Sequence, residues 1–324
     1  MEADFNISVN GFKSEDDAKK VGQLVLDIIR ALEERENLNI SKLKLVLISY
    51  DFQAALESIA SKYNYKSSVT YTNTKQAQAV GKVLSKLGDN GTYAEHAIIL
   101  DVNFFAEYIL ADFSLDAEFI SPIIHKLHHE LVHIHERNII KKLDVSLSIG
   151  SYDDALLMLA TSAWSEYLAN YMSSSTATEN CISETLLTFE KTLDEIPNEL
   201  SNLIYKYQTR QVNLEDMFQT VKSGISLLCN MCAYSFGYIH GTEIETKKYS
   251  PSLHELLENS DLSGSLLSLA EALGDLLDCL NNEGINNYQD FDKVQQCIEN
   301  VYLDFGLRLE RSGEDKLGLY VHVD

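Results

Sequence analysis

Hydrophobic and polar positions change period several times along the first third of the chain. In SEDDAKKVGQLVLDIIRALEE (14–34) apolar residues fall at Val21, Leu24, Ile28 and Leu32, which is helical spacing, and Ser14 stands ahead as a good N-cap. LKLVLISY (43–50) alternates and is rich in branched side chains, so it predicts a strand. Asp51 then caps a short helix over FQAALESIASKY. After a polar stretch near 64–76, AQAVGKVLSKL fits a helix or a strand. HAIILDV (96–102) predicts a second strand, followed by a helical turn or helix at 104–112.

From Ser121 onward the helical period dominates. Ser121-Pro122 predicts a helix start, with serine as cap and proline at the first helical position, where its missing N–H costs nothing. That helix would run to about Leu143, with Lys141 and Lys142 at its negative end. A VSLSIGS connection leads to Ser151 and Asp154, which begin a helix reaching about Met172. Further helices are expected near 183–208, 213–237, 252–281 (broken around 260–265) and 288–311, and LGLYVHV predicts a closing strand. The fold class is α+β: an N-terminal α/β subdomain (1–120), a pair of site helices (121–180) and a helical C-terminal subdomain (181–324).

Charge narrows the function classes. Of the net charge of −23, residues 121–324 carry −17, from 14 basic and 31 acidic side chains. Such a field repels phosphate backbones and anionic lipid, so neither nucleic acid nor a membrane surface is an expected partner. No apolar run approaches the roughly 18–20 residues of a membrane span, and the acidic opening MEADFNISVNGFKSEDD carries no secretory pattern. Five cysteines at irregular spacing fit reduced thiols in a cytoplasmic protein.

One stretch carries chemistry. HHELVHIHE (128–136) contains His129-Glu130-Leu131-Val132-His133, an H-E-x-x-H. On a helix, positions i and i+4 lie on one face, so both imidazoles can reach a single Zn2+ at about 2.0–2.1 Å. Glu130, rotated about 100° from His129, sits where a carboxylate can take a proton from a water held by the metal. A catalytic zinc normally has three protein ligands. The best third candidate is Glu166 in SAWSEYLAN, on the next predicted helix beside Trp164, the only tryptophan. Asp153 and Asp154 read better as helix-start residues, and Glu136 is poorly oriented for the same ion.

His129-Glu130-x-x-His133 followed by a glutamate on a downstream helix resembles the zincin metallopeptidases of the gluzincin group. The resemblance covers about residues 96–172. It implies an α/β subdomain that supplies an edge strand and the H-E-x-x-H helix, and a helical subdomain that supplies the glutamate. It also implies hydrolysis of a peptide or protein substrate by a zinc-activated water with Glu130 as general base. Thermolysin-like members usually carry Asp four residues after the glutamate; here that position is Asn170, which can accept a hydrogen bond without the charge. Tyr238, His240 and Tyr167 are weak candidates for stabilising the oxyanion. The strand HAIILDV could offer its edge to an extended peptide. The alternative is a zincin-like metal-binding regulatory or interaction module with little or no turnover, suggested by the long acidic helical region.

The other histidines read as structural. His125 shares the face of His129 one turn earlier and is expected to be partly exposed; His128 and His135 are expected to be solvent-exposed or capping. Cys229-Asn-Met-Cys232, inside an apolar helical stretch, reads as two buried small residues rather than a zinc or redox pair.

Overall fold

A computed structural model describes residues 5–65, 80–88, 92–140, 151–313 and 316–321. The chain divides into two compact units. The first comprises Met1–Lys142 with Ser175–Thr178, and the second comprises Leu143–Ser174 with Glu179–Asp324. The fold is mixed α and β, with one small sheet in the first unit and helices dominating the second. No helix among the described residues is long and apolar enough to cross a membrane.

The first unit is built from β1 (Asn6–Asn10), α1 (Glu15–Glu36), β2 (Leu43–Ser49), α2 (Phe52–Lys62), β3 (Gly81–Leu87), β4 (Tyr93–Asp101), α3 (Ala106–Leu110) and α4 (Ala117–Ile139). Ser14 caps α1 by accepting from the Asp17 N–H, and Asp51 caps α2 by accepting from Ala54 N–H. From Gly81 on, the ambiguous segment is strand, its residues 77–79 lying outside those described: β3 lies antiparallel to β4, while β1, β2 and β4 are mutually parallel in the order β1-β2-β4-β3. β1 was not legible in the sequence, since five residues with only Ile7 and Val9 apolar carry little strand signal.

The period-2 alternation of the strands divides the residues between two faces. Leu47, Leu84, Ala97 and Ile99 pack on α2 through Phe52, Leu56 and Ile59. The opposite face carries His96 and Ser85 and meets α4. HAIILDV is therefore no edge: β4 is interior, and the edge strand beside α4 is β3.

α4 starts earlier than Ser121-Pro122 suggests. Its N-cap is Asp116, in extended conformation, and Pro122 lies inside the helix beyond its first turn, where it removes one backbone bond. Lys141, Lys142 and the connection 144–150 fall outside the described residues.

The second unit contains α5 (Tyr152–Ser173), α6 (Glu179–Gln208), α7 (Leu214–Thr242), α8 (Thr246–Tyr249), α9 (Pro251–Asn259), α10 (Ser263–Asn282) and α11 (Asp292–Asp304), then a hairpin of β5 (Leu307–Ser312) and β6 (Lys316–Val321). The helix expected over 288–311 stops at Asp304. Gly306 at φ 70° follows, and Leu307 and Leu309 bury alternately as a strand. α7 is central, packing on α5, α6 and α10. Its Gly237 and Gly241 permit a close backbone approach to α5: a Cβ at either would fall 2.6 Å from the carbonyl oxygen of Tyr167 or Tyr171. The start of α5 is anchored by the hairpin. Arg311 makes a two-pronged pair with Asp153 at 2.7 and 2.6 Å, which commits Asp153 to that role.

Candidate metal centre

α4 is unusual for the polar groups it buries. Between residues 125 and 136, His125, His128, His129, Glu130, His133 and Glu136 are all buried, alongside the fully enclosed Leu131 and Val132. Buried polar groups are costly without partners, so the question is what each one faces.

His129 and His133 face each other. Their Nε2 atoms are 3.2 Å apart, with the rings perpendicular and their centres 4.8 Å apart. Two nitrogens on a tetrahedral zinc at about 2.0–2.1 Å would stand about 3.3 Å apart, so the pair already has the separation that one ion requires. Behind His133, Glu136 Oε2 is 4.0 Å from Nδ1. At that distance the contact is one of charge and not a hydrogen bond, and a negative group on that side favours the proton on Nδ1, which leaves the Nε2 lone pair free. Sequence reasoning dismissed Glu136 because it asked only whether this residue reaches the ion.

Glu130 is almost wholly enclosed, and Lys126 Nζ lies 2.8 Å from its Oε1. Burial alone would raise its carboxyl pKa. The Lys126 ammonium and then the two imidazoles outweigh burial, so the group is held below the usual carboxylate range. At neutral pH it is the carboxylate, the form able to accept a proton. The same ion pair weakens it as a base. Room for this arrangement comes from Gly81 on β3, where a Cβ would stand 2.9 Å from Glu130 Oε1 and 3.2 Å from Lys126 Cε.

His125, expected to be partly exposed, and His128, expected to be solvent-exposed or capping, are both buried, while His135 caps a backbone N–H. His128 is fully buried, its Nδ1 3.0 Å from Thr176 Oγ1, and burial pushes its pKa down to about 4. His125 is buried too, with Nδ1 3.3 Å from the same hydroxyl. His135 is half-buried and accepts the Asn39 N–H at 2.8 Å. The helix is hydrated less and stitched more than a polar stripe would be.

Sequence reasoning missed His96 altogether. It is fully buried on β4, with Nδ1 2.8 Å from Ser85 Oγ and Nε2 3.2 Å from Asn138 Oδ1. Asn138 Nδ2 donates to the Asn39 carbonyl, so its Oδ1 is an acceptor and His96 must carry its proton on Nε2. Ser85 then donates to Nδ1 and accepts from Arg137. Burial drives the His96 pKa down to about 4. This network fixes the C-terminal end of α4 to the sheet. Only the burial of a histidine inside a strand could have signalled it.

In the second unit, Glu166 lies on α5 next to Trp164, which is fully buried, and one carboxylate oxygen of Glu166 is shut off from solvent. Burial raises the pKa of Tyr238, then Cys181 beside it, with Glu166 the smallest of these causes. Asn170 is buried and donates from Nδ2 to the Tyr234 carbonyl. The oxyanion candidates have local partners: Tyr167 and His240 share a hydrogen bond of 2.8 Å, and Tyr238 Oη is 3.6 Å from Cys181 Sγ. Cys229 and Cys232 are fully buried, as their apolar surroundings suggested. Compared with protein-family models, curated proteins and solved structures, the chain has no significant match.

Proposed function

We propose that this protein is a zinc-dependent metallohydrolase, a zincin-like peptidase of the gluzincin type, acting on a peptide or protein substrate in the cytoplasm. In this reading His129, His133 and Glu166 each offer one ligand atom to a single Zn2+, and Glu130 is the general base. The observation that carries it is the 3.2 Å separation of the two Nε2 atoms on one buried helical turn, matched to a tetrahedral ion. An α/β unit with an edge strand beside that helix, and a helical unit bearing Glu166, are what the gluzincin resemblance calls for.

The bound ion would supply Lewis acidity toward a carbonyl oxygen and toward water. The chain's own residues do the rest. Glu130 accepts a proton from the attacking water, Lys126 holds that carboxylate ionised and in place, and Glu136 puts a negative charge behind His133. The test is cleavage of a peptide mixture by zinc-loaded wild type and Glu130→Gln. Turnover should fall by about 10²–10⁴-fold in the variant while zinc binding persists. Zinc binding without any Glu130-dependent cleavage would point instead to a metal-binding regulatory or interaction module.

A further inference from the structure

The register of the sheet decides which way the main chain of β3 faces. Asp101 N–H donates to the Val80 carbonyl, and residues 81–85 then pair with 100–96 in antiparallel order. Hydrogen-bonded pairs alternate with non-bonded ones, so Lys82 and Leu84 turn their N–H and C=O groups toward β4. Gly81, Val83 and Ser85 turn theirs to the outer edge. His96 confirms the phase: its N–H donates to the Lys42 carbonyl, on the side away from β3.

Most of that edge is already occupied. Tyr65 Oη donates to the Ser85 carbonyl at 3.0 Å and accepts the Ser85 N–H at 3.1 Å. Arg137 Nη1 donates to the Val83 carbonyl at 3.3 Å and is anchored by Ser85 Oγ at 2.7 Å. Among the described residues, the outward groups not used in this way are those of Gly81 and the Val83 N–H. Gly81 is also the residue packed against Glu130.

An uncovered strand edge is a template for an extended chain, and covering it removes the template. We infer, resting on the peptidase reading above, that Tyr65 and Arg137 are specificity-determining residues that close the β3 edge beyond Val83. A substrate main chain then pairs beside Glu130 and must end before Tyr65. Four steps of strand, about 13 Å, lead from Gly81 to Ser85, which is room for two or three substrate residues. The protein therefore trims peptides near a chain end and does not cut them in the middle.

The experiment uses the zinc-loaded full chain and a mixture of ten-residue peptides, with cut sites located by mass spectrometry. Wild type should cut within about three residues of one end. Tyr65 is 41% exposed, so Tyr65→Ala leaves the core intact. It should cut central bonds about tenfold faster than wild type, as expected when two hydrogen bonds no longer have to be displaced. Central cutting by wild type, or an unchanged pattern in Tyr65→Ala, overturns the inference and leaves the peptidase reading standing. Hydrogen exchange at the Ser85 amide gives a second readout, slow in wild type and faster in Tyr65→Ala. Equal exchange in the two removes the cap and the inference with it. No cleavage of any peptide by zinc-loaded wild type overturns the inference and the peptidase reading together.

Discussion

α4 and α7 each carry a buried pair of side chains at a spacing that can hold zinc, yet they bury the pair in opposite company. On α7, Cys229 and Cys232 sit among Leu228, Met231 and Ala233, and the Cys232 thiol donates to the Leu266 carbonyl. Burial pushes Cys229 up to about 12 and Cys232 well above its ordinary value, so both stay as thiols, the form that does not bind metal. On α4, His129 and His133 face each other across 3.2 Å, with an ionised Glu130 beside them and Glu136 behind. Spacing is satisfied in both helices. What differs is whether polar and charged neighbours surround the pair.

The largest effect should come from cutting into that contrast directly. His129→Ala or His133→Ala should weaken zinc binding by more than about a thousandfold, since losing a ligand exceeds the 10–100-fold cost of losing an outer partner. Cys229→Ser and Cys232→Ser should leave zinc affinity unchanged, as read by competition with a chelator. Loss of zinc in the cysteine variants would reverse the assignment.

The two units should also lose stability at opposite ends of the pH scale. His96 and His128 have folded pKa values near 4 against about 6.5 when unfolded. Between those values the unfolded chain binds the extra proton, so the first unit should lose stability as pH falls from about 6.5 to 4, by up to about 3 kcal/mol per histidine. Cys229 has the opposite sign. Its folded pKa is raised, so its contribution is complete below about 9 and is lost as pH rises toward 12. Denaturant unfolding across pH, followed at amides of each unit, checks both directions. His96→Asn should flatten the acid limb.

Much of the fold was legible where period and caps agreed. Ser14, Asp51, the alternation of LKLVLISY and HAIILDV, and the helical runs from 152 to 282 all carried their own signals. The misreadings arose where a local signal lost to packing. Ser121-Pro122 is a good start signal, but α4 already begins at Ala117, and proline is tolerated in its second turn. β1 exists because β2 offers it a parallel partner, not because NISVN favours a strand. On α4, the pairing of His129 and His133 on one face, with Glu130 beside them, was readable because i,i+4 spacing on a helix is a property of sequence. Glu136, Lys126, Gly81 and His96 were not, because their roles depend on which atoms the fold places behind them.

Two smaller effects sharpen the view of α4. Gly81→Ala would push a methyl into the Glu130–Lys126 pair and should cost about 2 kcal/mol in unfolding free energy, with no such cost at Gly264, where a Cβ would meet nothing within 4 Å. Glu136→Gln removes the charge behind His133 while keeping its shape. It should lower zinc affinity by about tenfold and leave thermal stability nearly unchanged.

X-ray absorption at the zinc edge of the metal-loaded protein tests the central claim most directly. One zinc per chain should show only nitrogen and oxygen neighbours at about 2.0–2.2 Å, with an imidazole signature that disappears in His129→Ala. A sulfur shell at about 2.3 Å, or no stoichiometric zinc at all, would contradict the assignment of His129, His133 and Glu166 as its ligands.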